Sequence, residues 1–399
     1  MQTFTGHARN IFGSAISADG STYYAGSYDG TVLAWDLTGR RGFGASFIGV
    51  DTENSWAMAW SPDSKVLATG DAFGTVNLWN VRTLDRTASF RAIPDAVNFL
   101  SFSPDGQSLL VQGFRLPPKH GGYLAIWSLH PARRLVREIP AFFKTLWASY
   151  SRDGKIIAAS GSPKDAPGGF FDTKPPGDGQ IAEWNAATGK LLARPLRIRG
   201  FGEAFSAGFA AHGTKLAVAL IHDHMAIVDP AQHRVLLRWK ASSAEQLIHA
   251  ELSPDGMRVA SADSDGYVSV WNAATGKRIL PKIQANDGYA ATWVNWSPDG
   301  SKLVTAGGDG TVRLYDAGSG QQIGPPLTSA ASNFPGVMFS PDARSIAAAD
   351  GTGRVWIYPV TVHAWAAYAC QVANRNLTRA EWAKYVPGHH YQQICPVTH

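Results

Sequence analysis

Residues 297–316 read SPDGSKLVTAGGDGTVRLYD: a tight turn, a short apolar run, a second turn, and a β-branched run that closes on Tyr315-Asp316. Pro298, Asp299 and Gly300 suit a turn, because Pro presets φ, Asp caps its own backbone and Gly accepts φ > 0. The runs KLVTAGG and TVRLYD have the length and the β-branched content of strands. Outward from this stretch the same pattern recurs eight times. The first turn begins at Ser17, Ser61, Ser103, Ser151, Ala210, Ser253, Ser297 and Ser340, at intervals of 42 to 48 residues with one of 59. The third runs end on an aromatic-polar pair in most copies, as in Trp35-Asp36, Trp79-Asn80 and Trp271-Asn272.

A period near 43 residues that keeps its turn chemistry marks a repeat architecture. The pattern resembles the WD-repeat family, over residues 1 to about 360. That resemblance implies blades of four antiparallel strands around a central channel. Copy one is the fullest match, with Gly6-His7, Ser27, Asp29 and Trp35-Asp36. The family's buried network carries over to His7, Ser27, Asp29 and Trp35 as a structural feature; the other copies lack the Gly-His pair.

Counting copies predicts an all-β, closed eight-bladed propeller over 1–360, with seven blades as the alternative count and a helical tail over 361–399. Copy eight is followed by a helix-like stretch instead of a fourth strand. The N-terminal segment Gln2–Phe4 is therefore expected to supply the outer strand of the last blade and to close the ring, which removes exposed edges.

The composition is 45% hydrophobic and 17% charged with a net charge of +5, which gives weak support to an acidic or nucleic-acid partner. Arginines cluster in the fourth strands. A basic belt for phosphates is one reading, and protection of exposed strand edges is the better one. No signal-peptide pattern or membrane-length apolar run is present, so a cytoplasmic location is expected, without membrane contact.

Two insertions stand between the second and third strands of copies three and four: FRLPPKHGGY from Phe114 and SPKDAPGGFFDTKPPGDG from Ser162. As neighbouring repeats they must rise on one rim. Phe114, Arg115, Lys119, His120, Lys164, Phe170, Phe171 and Lys174 are the candidate contacts for a protein partner, with aromatic anchors and positive charge. His222 and His224 would share a strand face as metal ligands might, but a polar turn explains them without metal, and none is expected. Along the inner strands, His249 and Glu251 are the candidates for channel chemistry, too few for a metal site. No P-loop, nucleophile elbow or zinc spacing is present. The expectation is a monomeric, non-catalytic interaction scaffold or sensor without cofactor; a channel enzyme or ligand binder and a weak nucleic-acid binder are the alternatives.

The tail ACQVANRNLTRAEWAKYVPG, ending in CP, resembles tails of bacterial WD-repeat proteins attached to STAND-type NTPase or kinase modules, which implies a sensor role. Thr378–Glu381 forms a capping box that starts a second helix. Cys370 and Cys395 bracket that helix. A disulfide between them would staple the tail, and free thiols in a reducing cytoplasm are the alternative.

Overall fold

A computed structural model describes residues 11–16, 22–27, 32–36, 45–49, 57–115, 121–141, 143–163, 178–200, 203–209, 215–220, 223–241, 246–286, 290–328 and 336–373, with 376, 379, 390–393 and 395. The chain divides into two compact units, Ser46–Trp365 and a smaller one made of Met1–Ala45 with Ala366–His399.

Among the described residues the larger unit is built of seven four-stranded antiparallel sheets. Blades 1 to 6 take their strands consecutively, from Met58–Trp60 at the start of blade 1 to Leu327–Thr328 at the end of blade 6. Blade 7 combines Gly336–Phe339, Ser345–Ala349 and Arg354–Pro359 with Ala45–Ile48 as its outer strand. The ring therefore has seven blades, not the eight that counting copies predicts. Its closing strand is Ala45–Ile48; Gln2–Phe4, expected in that place, lies outside the described residues. Copy one, although the fullest sequence match, forms a separate three-stranded sheet of Ile11–Ile16, Thr22–Ser27 and Val32–Asp36.

The seam explains the correction. Phe47 of the closing strand lies 4.5 Å from Trp79 of blade 1, inside one apolar cluster with Met58, Trp60, Val355 and Ile357. Blade 7 is thus sealed to blade 1 by buried aromatic and aliphatic surface. Gly49, just past the strand, donates its N–H to Gly353 O at 2.9 Å and accepts the Thr69 hydroxyl at 2.6 Å. A Cβ on Gly49 would stand 2.4 Å from Val355 Cγ2, so the approach requires glycine.

The strand sequences match their layers. Second and third strands are covered on both faces by neighbouring blades, and Leu216–Leu220 is buried at every position. Outer strands keep one face in water, and Arg234–Lys240 alternates exposed and half-buried residues. The Ser-Pro-Asp turns are built alike. In blade 6 the Ser297 hydroxyl donates to Asp299 Oδ1 at 2.6 Å and accepts the Lys302 N–H at 2.9 Å. The Ser297 hydroxyl bond, with burial opposing it, holds the Asp299 carboxyl down to about 2.

A helix, Val362–Ala373, follows blade 7. The indole of Trp365 donates to Pro359 O at 3.1 Å and covers Gly324 in blade 6. Cys370 and Cys395 are joined in a disulfide. Asn376 clasps the Cys395 backbone on both sides, accepting its N–H at 2.8 Å and donating to its carbonyl at 3.0 Å. Most of the second helix expected from Arg379, including Trp382 and Tyr385, lies outside the described residues.

Candidate functional site

The axis of the ring is shaped by one repeated defect. In blades 2 to 6 the inner strand carries a β-bulge, at Asn98, Leu146, Phe205, Ile248 and Thr292. A bulge re-aims the residue that follows it, which here is Phe99, Trp147, Ser206, His249 or Trp293. Phe99 of blade 2 and Trp293 of blade 6 have ring centroids 5.6 Å apart and nearly parallel planes. Blades 2 and 6 are not neighbours, so this contact spans the axis. Trp147 meets Phe99 edge-on at 6.1 Å, and His249 stacks on Trp293 at 4.1 Å. Four blades thus contribute to one aromatic plug.

A polar belt joins successive inner strands, through Ser101, Glu251 and Asn295, each two residues past its post-bulge position, and through Ser206 at that position itself. Inner strands leave N–H groups unpaired toward the axis, and a side chain of the preceding blade accepts them. Ser101 accepts from Tyr150 N at 3.3 Å, Ser206 from Ala250 N at 3.1 Å, Glu251 from Trp296 N at 3.3 Å, and Asn295 from Phe339 N at 2.8 Å. Asn295 also donates to both Glu251 oxygens, at 3.1 and 3.0 Å. Burial pushes the Glu251 carboxyl up to about 8, against the opposing bonds from Asn295 and Trp296. Burial pulls the His249 imidazole down to about 3 and keeps it neutral, with Nδ1 unpartnered.

His249 and Glu251 are therefore axial, as the sequence reading places them, but they serve a stacked plug and an inter-blade belt. Among the described residues no three His, Cys, Asp or Glu side chains form a cluster able to hold a metal ion. His222 lies outside the described residues. His224 Nδ1 pairs with Asp223 Oδ1 at 2.6 Å, and Lys240 Nζ holds Asp223 Oδ2 at 2.8 Å. That ammonium already neutralises the carboxylate.

The rim is the second feature. The insertions of copies three and four fall in blades 2 and 3, where they lengthen the strands. In blade 2, Ser108–Arg115 and Gly121–Ser128 stay paired out to Phe114↔Gly122 and Arg115↔Gly121. In blade 3 the second strand runs to Pro163, which pairs with Phe143. Lys119, His120, Lys164, Phe170, Phe171 and Lys174 lie outside the described residues, as do the side-chain placements of Phe114 and Arg115.

The equivalent turn of blade 1 presents Phe73, which sequence reading passed over, at 62% exposure. The turn is held tightly. Asp71 Oδ1 accepts the N–H groups of Phe73 at 2.9 Å and Thr75 at 2.7 Å, and Gly74 O accepts Ala92 N at 2.8 Å. Gly74 has φ +86°, and a Cβ there would lie 2.0 Å from Ile93 O. Gly74→Ala is expected to lower stability by about 1–3 kcal/mol through this strained, blocked conformation. Urea denaturation checks it, and an unchanged midpoint would contradict it. The signal for Phe73 was available: DAFG stands where other copies write SYDG or GGDG.

The family description "WD domain, G-beta repeat" matches residues 1–36, 48–80, 243–272 and 280–316, which fall on copy one and on blades 1, 5 and 6. The chain carries WD40 repeats. Within the ring the Trp-centred bonds are made without the Gly-His pair. Trp79 Nε1 donates to Thr69 Oγ1 at 2.9 Å, Trp271 Nε1 to Ser261 Oγ at 2.9 Å, and Trp356 Nε1 to Asp350 Oδ2 at 2.8 Å. In copy one, His7 and Asp29 lie outside the described residues, and only the backbone of Ser27 and Trp35 is described.

Among curated relatives, "WD repeat-containing protein SL1-17" of Schistosoma mansoni is 34% identical over 27% of this chain and 36% of its own length. Transducin beta-like protein 3 of Bos taurus is 23% identical over 55% of this chain and 32% of its own. Eukaryotic translation initiation factor 3 subunit I of Aspergillus terreus is 34% identical over 27% and 31%. The matched stretches thus span about a third of each relative's length. These relatives are eukaryotic, and the family match ends at residue 316; neither supports the bacterial sensor role implied by the tail. Among the described residues no helix is long and apolar enough to cross a membrane.

Proposed function

We propose that this WD40 propeller is a non-catalytic interaction scaffold that grips a protein partner with the rim of blades 1 to 3. The observation that carries the reading is Phe73, an exposed aromatic on a rigidly bonded turn. It stands on the same connection, in the next blade, as the two lengthened hairpins. Pre-organised aromatics of this kind dominate interface energetics, because little conformational freedom is lost when they are covered. The inserted Phe170, Phe171, Lys119, Lys164 and Lys174 would extend that surface. One relative is by name a subunit of a translation initiation factor, which supports assembly over catalysis.

Affinity capture from native extract with wild type, Phe73→Asp and a chain lacking residues 164–177 tests the reading. Both variants are expected to keep the wild-type melting temperature and to retain the wild-type partner at least about tenfold less well. Equal recovery by all three chains would exclude the rim.

A further inference from the structure

Every third strand of the ring is covered by an antiparallel outer strand, including that of blade 7, which takes Ala45–Ile48. The third strand of copy one, Val32–Asp36, has no such cover among the described residues. The spacing shows why. Third and outer strands of blades 1 to 6 are separated by 5 to 11 positions, as in Asp229 to Arg234 and Asn272 to Ile283. Ala45 follows Asp36 by nine, so Ala45–Ile48 stands where the outer strand of copy one belongs. One strand serves two candidate edges. The ring holds it, and among the described residues copy one has no fourth strand.

We propose that the Val32–Asp36 edge is a β-augmentation site, which takes an extended segment of a partner protein as an antiparallel fourth strand. The chain's own outer strands define the chemistry of that segment. Arg86–Arg91 turns Ala88 and Phe90 inward between exposed residues, and Arg234–Lys240 does the same with Val235, Leu237 and Trp239. The partner segment therefore carries apolar residues at alternate positions, with polar or charged residues between them. Backbone bonds to the edge supply affinity, and the alternate side chains supply selectivity. This site is independent of the blade 1–3 rim.

The groups that make the bonds can be named. In blades 3, 5 and 6 the residue before the closing aromatic (Glu183, Val270 and Leu314) turns its carbonyl outward to accept an N–H from Leu192, Ile279 and Ile323 at 2.9, 2.9 and 2.7 Å. The equivalent residue in copy one is Ala34. In an antiparallel strand the N–H and C=O of one residue point the same way, so Ala34 directs both away from Tyr24, toward the outer edge. Proline there removes an outward donor and spares the pairing of Ala34 with Tyr24.

The test is fluorescence anisotropy of a labelled peptide copying residues 42–50, GFGASFIGV, titrated with the full chain. Saturable binding is expected, and Ala34→Pro is expected to weaken it at least about tenfold with the ring's melting temperature unchanged. A peptide N-methylated at alternate amides guards against misfolding of the variant. One methylation register is expected to abolish binding and the other to preserve it. Flat anisotropy, or binding indifferent to both changes, overturns the proposal. A dimer on sedimentation that Ala34→Pro dissolves would overturn the partner as occupant, since the edge would then be filled by a second copy.

Discussion

A chain that begins at residue 50 is expected to lose the cooperative unfolding of the ring and to associate, because blade 7 is then left without its outer strand. The loss has three parts. The outer edge of Arg354–Pro359 is stripped of its partner, and bare edges pair with other chains. Phe47 leaves Trp79, Met58 and Ile357 facing water. The Gly49 carbonyl no longer accepts the Thr69 hydroxyl, so the bond chain Trp79–Thr69–Gly49 is broken at its end. The milder variant Phe47→Ala separates packing from pairing. Phe47 is 9% exposed, and truncation of a buried Phe costs about 3–5 kcal/mol. Urea denaturation and size-exclusion chromatography measure both. A cooperative, monomeric product from the chain starting at residue 50 would show that blade 7 does not depend on Ala45–Ile48.

The second large effect is on pH dependence. Glu251 keeps its proton in the folded ring up to about pH 8, against an ordinary value of 4.5. Between those values the folded state binds more protons than the unfolded state. Stability therefore falls as pH rises through this window, and the loss is complete above about 8. Glu183, raised to about 7 by burial and by the charge of Asp229, acts in the same direction. His249 acts oppositely on the acid side. Its pKa is lowered from 6.5 to about 3, so stability is lost as pH drops below 6.5. Between pH 5 and 9, Glu251 is expected to remove about 2–4 kcal/mol of stability. Glu251→Gln, which cannot ionise, is expected to flatten most of that slope while Glu183 leaves the remainder. Calorimetric melting across the range reads the difference. Identical slopes for the two proteins would mean that Glu251 is ionised in the fold.

How much of the site was legible follows from the range of the signal. His249 and Glu251 can be read from the sequence because each sits at a fixed distance before its Ser-Pro-Asp turn. The plug they join cannot. Phe99 and Trp293 are 194 positions apart in the chain, and they meet only because each follows a bulge on strands that face each other across the ring. Phe73 was visible as an aromatic in a turn, but its exposure depends on how that turn is pinned against Ile93.

From its sequence alone this protein is determined to be a repeat of four-stranded units. The Ser-Pro-Asp turns, the doubly buried middle strands and the alternating outer strands are local, and each copy specifies them by itself. The number of blades was decided by tertiary structure. Eight copies carry interchangeable strand patterns, so pattern cannot say which third strand receives Ala45–Ile48. At blade 7 the strand brings Phe47 against Trp79 and Gly49 against Gly353, and it closes the ring.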